Sequence, residues 1–311
     1  MMKIFNVIAS HFKIHWRLIL TFSIIWTVFM LTMLLLPLLS KGFSIGNGVL
    51  WERQTTEDSG SHGRNLAMTS ISLLHSFLFN GLGIVFYGLT AVIFINKILL
   101  KELHTGQISL WLTQPISKAK ILISKILFLI LVLTITYFPA YLIMIIISSQ
   151  AVDVKELILN VILGGLQIYI FIIMLALIFV TISLLLSEKA IVANAIFTIL
   201  LCYFVFIFAL QIVALITQMK SKILDGFLNY GGLHIFITNV FQYNDDLDPI
   251  VFEIGKPIIT DDGIYTYWIE RTQMKEINQA LYWTSTVLMM GITPTLGWVS
   301  TVLFKKTSFN I

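Results

Sequence analysis

Six apolar runs constrain this 311-residue chain more than any other feature, because each is long enough to cross a lipid bilayer. A membrane-spanning helix needs about 20 apolar residues, and none of these runs contains Asp, Glu, Lys or Arg. Hydrophobic residues make up 58% of the chain and charged residues 12%, which lies outside the soluble globular range. The runs predict six transmembrane helices at 18–39, 71–95, 126–147, 158–186, 191–217 and 280–304.

The charges between these runs are divided unequally between the two sides of the predicted bundle. Six spans place both termini, the segment 96–125 and the short turn 187–190 on one side. That side carries eleven Lys and Arg residues against two acidic ones, whereas the other side carries nine basic and fourteen acidic residues. Because cytoplasmic segments hold the excess of Lys and Arg, we predict a multi-pass membrane protein with both termini in the cytoplasm. Nothing else in the sequence favours binding to nucleic acid.

The first 17 residues are predicted to form an amphipathic helix ahead of the first span. Polar residues recur there at spacings of three and four, from Lys3 to Arg17, with Phe5, Phe12 and Trp16 on the opposite face. Such a helix suits the headgroup region, where its basic side faces anionic membrane lipid. A basic leader that only sets the topology is the alternative interpretation.

Two longer segments, 40–70 and 218–279, lie on the predicted external side. The first is rich in Gly, Ser and Thr and predicts a surface loop. In the second, Asp262-Gly263 separates two runs of β-prone residues, which is a hairpin signal. We predict a small extracellular cap that contains this β-hairpin, with a short helix after Gly231-Gly232. The acidic residues at 245–248 lack the spacing of a calcium loop and are interpreted as a solvated turn.

Several kinds of site are absent from the sequence. No Gly-x4-Gly-Lys-Ser/Thr motif is present, so the chain does not hydrolyse ATP on its own. The lone Cys202 has no partner for a disulfide, and we predict no metal site, no catalytic residue and no bound cofactor. Ion-coupled transporters place ionisable residues inside the membrane, so the charge-free spans make ion coupling a poor interpretation. A separate ATPase as the energy source fits these absences.

Small and polar residues line one face of the second predicted span. They recur at spacings of three and four, which places them in one helical stripe, and a weaker stripe in the fifth span includes Asn194 and Thr198. Two interpretations stay open, namely helix packing, including packing at a seam between subunits, and the lining of a translocation path. Pro139 and Pro294 predict kinks in the third and sixth spans. The residues of the second-span stripe are Ser72, Ser76, Asn80, Gly83 and Tyr87.

The segment between the second and third spans has a distinctive order of residues. It begins with the acidic Glu102, passes through Gly106-Gln107 into a short apolar stretch, and ends with Pro115 ahead of several lysines. This order resembles the cytosolic loop of ABC-2 type permeases, the membrane subunits of many bacterial ABC exporters. Gln107 and Ser109 depart from the commonest form of that loop, which has Thr and an acidic residue there.

The resemblance implies an all-α polytopic membrane protein with the six-span fold of ABC-2, type V, exporters. It implies an elbow helix at 1–17 and a transmembrane domain at 18–311, which includes a coupling loop at 96–125 and the cap at 218–279. It also implies two partners, a second permease subunit, identical or a sister, and an ABC ATPase subunit that binds ATP and Mg²⁺.

The same resemblance implies that the 102–115 region contacts the ATPase. Glu102 would pair with a basic residue of the ATPase, and Pro115 would end a short helix before the third span. Trp111 and Leu112 have a second interpretation, as anchors of an interfacial helix at headgroup level. The implied contact residues are Glu102, Gly106, Ile108, Leu110, Trp111, Leu112 and Pro115.

The sequence favours a function in export. A charge-free interior rich in aromatic residues suits amphipathic or hydrophobic cargo, such as a peptide, a lipid or a drug. The Ile- and Phe-rich composition is typical of a Gram-positive source, and the overall form is similar to staphylococcal permeases that export amphipathic peptides, the phenol-soluble modulins. The alternative from a different class is a non-transporting sensor or immunity subunit that binds a ligand through its extracellular cap. A neighbouring ATPase gene favours export, and a neighbouring histidine kinase gene favours sensing.

Overall fold

Six helices in the described part of the chain are long and apolar enough to cross a membrane, which confirms the predicted number of spans. The computed structural model describes residues 2–39, 75–105, 116–149, 154–216, 227–228, 232–237, 250–260, 263–271 and 278–306. The six helices are α1 (Met2–Leu39), α2 (residues 75–104), α3 (Lys118–Ser148), α4 (Val154–Leu185), α5 (Ala190–Ile216) and α6 (Gln279–Lys306).

Helix α2 consists of four segments that follow one another without a break. The α-helix Ile84–Ile95 is preceded by the π-helix His75–Gly83. It is followed by the π-helix Asn96–Leu100 and by a last α-helical turn at Lys101–His104. Such π-helical turns are rare and occur frequently at functional sites. The second span therefore extends past its predicted end, because the second π-helix is buried against the bundle.

Both ends of the predicted coupling loop at 96–125 are helical. Its first part belongs to the end of α2, and its last part belongs to the start of α3. Ser117 has extended backbone angles, and its carbonyl accepts bonds from the N–H groups of Lys120 and Ile121, which begin the helix. Residues 106–115 lie outside the described residues. The coupling role of the segment 96–125 stays a prediction.

Helix α1 is continuous from Met2 to Leu39, so a separate elbow helix at 1–17 is not shown. The sequence around Arg17 contains no Gly or Pro that would interrupt a helix. Val7, His11 and Ile19 are buried, and α1 packs along α3. The candidate span Ile4–Met33 lies within α1 and includes most of the predicted first span.

Helices α2, α3 and α4 form the centre of the bundle. More than half of the residues in their spanning windows are buried, compared with less than a quarter in α1, α5 and α6. The outer helices pack on this centre, α1 on α3, α5 on α2, and α6 on α4 and α3. They expose large apolar side chains such as Ile191 and Trp298, which are 87% and 69% exposed. Surfaces of this kind suit lipid or a second subunit in the membrane.

Pro139 lies inside α3 and Pro294 inside α6, and both helices continue past them. A proline has no N–H, so the carbonyl four residues earlier loses its helical partner. For Pro139 that carbonyl belongs to Ile135, and the hydroxyl of Ser23 in α1 donates to it at 3.2 Å. A neighbouring helix thus satisfies the freed backbone group, which is how membrane helices tolerate proline.

The short turn between α4 and α5 agrees with the tight connection that the sequence predicts. The backbone N–H of Lys189 donates to the carbonyl of Leu186 at 2.9 Å, and α5 begins at the next residue, Ala190. Four polar and small residues between two long apolar runs leave room only for such a turn.

Two strands, β1 (Ile250–Thr260) and β2 (Gly263–Arg271), pair antiparallel at the positions that Asp262-Gly263 predicts. Their register is irregular between Ile254 and Ile258, where the sequence contains a proline that has no N–H to donate. Earlier in the chain, a 3₁₀ helix at Leu233–Phe236 follows Gly232, whose φ of 80° suits glycine. The placement of these elements outside the cell stays a prediction from charge.

Candidate coupling site

A buried ion pair between Glu102 and Lys125 joins the end of α2 to the start of α3. The Lys125 ammonium lies 2.5 Å from the Glu102 carboxylate and also donates to the backbone carbonyl of Ile98. Lys125 is 2% exposed and Glu102 is 9% exposed. Because a buried charge is tolerated only when it is paired and hydrogen-bonded, each of these residues depends on the other.

The pairing of Glu102 with a basic residue of the ATPase, which the resemblance implies, stays a prediction. Within the single chain, the Glu102 carboxylate is paired with Lys125. The two residues are separated by 23 positions, and local sequence patterns do not show which helix ends meet. The sequence does contain a pattern that could have predicted the pair, because Glu102 and Lys125 lie on either side of segment 106–115, each next to an apolar run.

Two histidines of α1 lie on the same side of α3 as the ion pair. The ring of His11 lies 5.4 Å from that of Phe128, and the ring of His15 lies 6.2 Å from that of Phe94 in α2. Phe128 follows Lys125 by about one helical turn, so both point to the same face of α3. His11 is 1% exposed. Three helices therefore meet around the ion pair.

The other six implied contact residues lie outside the described residues. The residues on either side of them are described. Thr105 ends α2 with its hydroxyl donating to the Lys101 carbonyl at 2.8 Å, and the exposed Ser117 precedes α3. The chain therefore leaves α2 and enters α3 at two exposed points. The six residues are Gly106, Ile108, Leu110, Trp111, Leu112 and Pro115.

Tyr87, in the second-span stripe, is fully buried inside the single chain. Its hydroxyl donates to the Thr136 carbonyl of α3 at 3.4 Å, and its ring packs edge-on against Trp26 of α1 at 5.5 Å. It also packs against Tyr137, with ring centroids 5.3 Å apart. These contacts favour the packing interpretation for Tyr87.

The rest of that stripe is only partly described. Gly83 is buried and Asn80 is half-buried. Ser76 lies in the first π-helix, where only its backbone is described, and Ser72 lies outside the described residues. A seam between subunits at these positions stays a prediction, since the contacts of one chain do not test it.

Two glycines outside the predicted stripe bring α2 close to α5. A Cβ added to Gly81 would overlap the ring of Phe208, and one added to Gly88 would lie 2.7 Å from a methyl carbon of Leu201. Small residues let helix backbones approach closely in a membrane. The spacing of two helical turns between the glycines is the sequence signal that could have identified this contact.

Asn194 and Thr198 lie on α5, most of whose spanning window is not buried in the single chain. Thr198 is exposed, and its hydroxyl donates to the Asn194 carbonyl at 2.9 Å. Asn194 is half-buried, and no described group bonds to its side-chain oxygen. Cys202, one turn further on, is also exposed. Thr198 and Cys202 are therefore open to lipid or to a second subunit, whereas the Asn194 oxygen is buried.

Three tyrosines that the sequence did not single out form a clamp on α4. Tyr137 and Tyr141 of α3 and Tyr282 of α6 each donate a hydroxyl hydrogen bond to a backbone carbonyl of one α4 turn. We call these residues the tyrosine clamp. The acceptors are Gly165 at 2.7 Å, Ile162 at 2.9 Å and Leu163 at 3.0 Å, in the order of the three tyrosines.

The clamp depends on the absence of a side chain at Gly165. A Cβ there would overlap the ring of Tyr141, so only glycine lets this ring lie against the α4 backbone. The Gly164-Gly165 pair in an otherwise apolar run is the sequence signal that could have identified this site.

Neutral hydrogen bonds also join α4 to α6. The Gln167 side-chain amide donates to the Ser285 hydroxyl at 2.9 Å, and the hydroxyls of Thr181 and Ser300 lie 2.9 Å apart. Within the described residues no group of three or more His, Cys, Asp or Glu side chains is placed to hold a metal ion. In the part of the chain that the structure describes, the links between helices are therefore charged at Glu102–Lys125 and neutral at the other contacts given above.

A comparison with protein-family models identifies the family of this chain. Residues 12–309 match the model of the ABC-2 family transporter proteins. The chain belongs to the ABC-2 transporter family. It is therefore a multi-pass membrane protein and the transmembrane subunit of an ABC transporter, which works with a separate ABC ATPase subunit. No curated protein matches the chain.

The match covers nearly the whole chain of this ABC-2 transporter subunit. It begins within α1, next to His11, and ends beyond α6, so it includes the Glu102–Lys125 pair and the tyrosine clamp. Membership of this family implies a separate ATPase subunit. The contacts within the chain show that the helix ends on either side of segment 106–115 are held together by the Glu102–Lys125 pair.

Proposed function

We propose that this ABC-2 transporter subunit belongs to an exporter that moves amphipathic or hydrophobic cargo out of the cell. The observation that carries the proposal is the neutral interior. Among the described residues, the buried acid and lysine neutralise each other at one end of the bundle, and the other polar links are made by hydroxyl, amide and carbonyl groups. Such an interior offers no charged site for a coupling ion, so ATP hydrolysis by the partner supplies the energy.

The contact with the ATPase is proposed to lie between Glu102 and Pro115, on the cytoplasmic side. The charge asymmetry supports this side, because the segment lies with the termini on the Lys- and Arg-rich face. Changing Leu110 and Leu112 together to Asp is expected to release the ATPase, as measured by co-purification. Retention of the ATPase by this variant would place the contact elsewhere.

The orientation is testable by labelling. In a Cys202→Ser background, Ser59→Cys and Asp261→Cys are expected to react in intact cells with a maleimide that does not cross membranes. Ser117→Cys is expected to react only after the cells are opened. Reaction of Ser117→Cys in sealed cells would contradict the proposed orientation.

A second permease subunit is proposed to pack against the exposed face of α5. Support comes from the small and polar residues that this face presents, including Thr198 and Cys202. The native Cys202 allows a direct test, since oxidation should cross-link two copies through this residue in a homodimer. Cys202→Ser should abolish the cross-link, and Trp283→Cys on the exposed face of α6 serves as the matched control in the Cys202→Ser background. If the α6 variant cross-linked equally well, the proposal that the second subunit packs on α5 would be wrong.

The experiment that tests export uses the complex of this subunit with its co-expressed ATPase. Inside-out vesicles that contain the complex are supplied with ATP and a fluorescent amphipathic helical peptide. We expect ATP-dependent uptake of the peptide and stimulation of ATP hydrolysis by it. A peptide of the same composition, with its residues reordered so that it has no apolar face, is the cargo control.

Two results would contradict the proposed function. Uptake that persists with an ATPase that binds but does not hydrolyse ATP would show that another energy source drives it. Tight binding of peptide from the external side, with no uptake and no stimulation of hydrolysis, would favour the sensor or immunity function of the extracellular segments.

A further inference from the structure

The Glu102–Lys125 pair ties together the two helix ends that flank the proposed ATPase contact. Glu102 lies in the last turn of α2, just before Thr105, and Lys125 lies in the first turns of α3. The same ammonium also reaches the carbonyl of Ile98 in the preceding turn of α2. One lysine of α3 therefore holds two successive turns of α2.

Stability alone does not account for this pair. Two charges lose their hydration when they are buried, and apolar residues of similar size often stabilise a fold equally well. An ion pair adds direction, because the Lys125 ammonium must face the Glu102 carboxylate and the Ile98 carbonyl at the same time. This requirement fixes the position of α3 along α2.

We propose that Lys125 is a positioning residue for coupling, and that it forms with Glu102 a brace that sets the spacing between the ends of segment 106–115. The inference rests on the proposed ATPase contact. With the brace intact, a displacement of the segment by the ATPase moves α2 and α3 together. Without it, the two ends move separately, and less of the energy of ATP hydrolysis reaches the bundle.

Helix α1 encloses the brace on a third side. His11 packs on Phe128, and Val7 and Ile19 are buried on either side of this contact along α1. Exclusion of water strengthens an ion pair, because the effective dielectric constant is lower away from solvent. The brace is therefore a buried contact, which salt in the medium weakens less than an exposed one.

The test separates charge pairing from simple packing. Glu102→Leu with Lys125→Met removes both charges at similar volume and is expected to assemble. Glu102→Lys with Lys125→Glu exchanges the charges, and Lys120→Met removes an exposed lysine of the same helix as the matched control. Each variant is purified with the ATPase, and cargo transported per ATP hydrolysed is measured. Spin labels at Thr105→Cys and Ser117→Cys, in a Cys202→Ser background, report the spacing of the segment ends.

For the apolar pair we expect the complex that still co-purifies with the ATPase to move about 5- to 150-fold less cargo per ATP hydrolysed, the usual range of coupling between two sites. The distribution of label distances should broaden. The charge exchange should partly restore the cargo moved per ATP and partly narrow the distribution of label distances. The ion pair re-forms in this variant, but the donor to the Ile98 carbonyl is lost. Lys120→Met should match the wild type.

Wild-type coupling and a narrow distance distribution in the apolar pair would overturn the proposal, since the brace would then be ordinary packing. A wild-type complex that shows no response to cargo would instead count against the proposed function. The label distances still decide in that case whether the brace sets the spacing, because they require no transport.

Discussion

The brace and the tyrosine clamp hold neighbouring helices together by different chemistry. The brace uses a full ion pair, Glu102 with Lys125, at the end of the bundle that carries the proposed ATPase contact. The clamp uses the neutral hydroxyls of tyrosines on backbone carbonyls around Gly165. A charge inside hydrocarbon is costly, whereas a tyrosine brings a large apolar ring together with one donor. The chain thus uses a charged link at the helix ends that flank segment 106–115 and neutral links further along α3 and α4.

The two regions also differ in what a substitution leaves behind. Removing Lys125 leaves the buried Glu102 carboxylate without its partner. Removing a tyrosine hydroxyl leaves a carbonyl that can still accept a backbone hydrogen bond within α4. The brace is therefore expected to be sensitive to single changes and tolerant of paired ones. The clamp is expected to respond most to changes of volume, because its rings lie directly against the α4 backbone.

The largest effect is expected from Lys125→Met alone. It leaves the Glu102 carboxylate buried without its partner, which should lower the free energy of unfolding by about 3–5 kcal/mol. Unfolding in mixed detergent and dodecyl sulfate micelles measures this change. Lys120→Met, at an exposed position of the same helix, is the control and should have little effect. A small loss of unfolding free energy for Lys125→Met would mean that water reaches the pair. The expected difference between the charged brace and the neutral clamp would then be wrong.

A smaller effect is expected from Gly165→Ala in the clamp. The added methyl group overlaps the ring of Tyr141, and overpacking of this kind should cost about 1–3 kcal/mol of unfolding free energy. Gly291→Ala in α6 is the matched control, since nothing lies within 4 Å of a Cβ at that position. The same micelle titration measures both variants. Equal tolerance of the two alanines would show that the tyrosine ring is not held against α4.

Tyr137→Phe sharpens the comparison by removing one hydroxyl without changing the ring. Its bond to the Gly165 carbonyl is 2.7 Å long and buried, so its loss should cost about 1 kcal/mol of unfolding free energy. The measurement is again unfolding in mixed micelles. A cost as large as that of Lys125→Met would contradict the distinction between neutral and charged links.

The smallest effect is expected from Ser23→Ala, which removes the donor to the Ile135 carbonyl. Interhelical hydrogen bonds in membranes contribute about 0.6 kcal/mol on average, and we expect a loss of this size in unfolding free energy. In a Pro139→Ala background the backbone N–H returns and the cost should disappear. A double-mutant cycle of the two positions measures this coupling. If Ser23→Ala lowered the unfolding free energy equally in both backgrounds, Ser23 would not compensate for the N–H that Pro139 lacks.

Much of the fold could be predicted because it depends on local properties. The number of spans follows from apolar runs of about 20 residues, and the tight turn before Ala190 follows from the four residues that separate two of them. The strand pair follows from Asp262-Gly263 between β-prone runs. Family membership could be predicted as well, because the order of residues from Glu102 to Pro115 is distinctive and the family match covers the chain.

The boundaries of helices were harder to predict. The end of α2 and the start of α1 both extend beyond the charge-free runs. Polar residues near a membrane surface are compatible with helix, so hydropathy alone ends a span too early. The start of α1 is packed in the bundle, since Val7 and His11 are buried and α1 lies along α3. This packing could not be predicted from residues 1–17 alone, because it depends on α3.

Hydropathy and charge alone predict the six apolar helices of this ABC-2 transporter subunit, its unequal distribution of charge and the segment after α2 that Glu102 and Lys125 bracket. The pairing of Glu102 with Lys125, the packing of Tyr87 within its own chain and the clamp on α4 at Gly165 became evident only from the contacts between helices. Hydropathy does not predict these contacts, because it has no direction around a helix when lipid is as apolar as the core. Rotation and register are set by packing and polar pairing between helices, and these exist only once the helices have met.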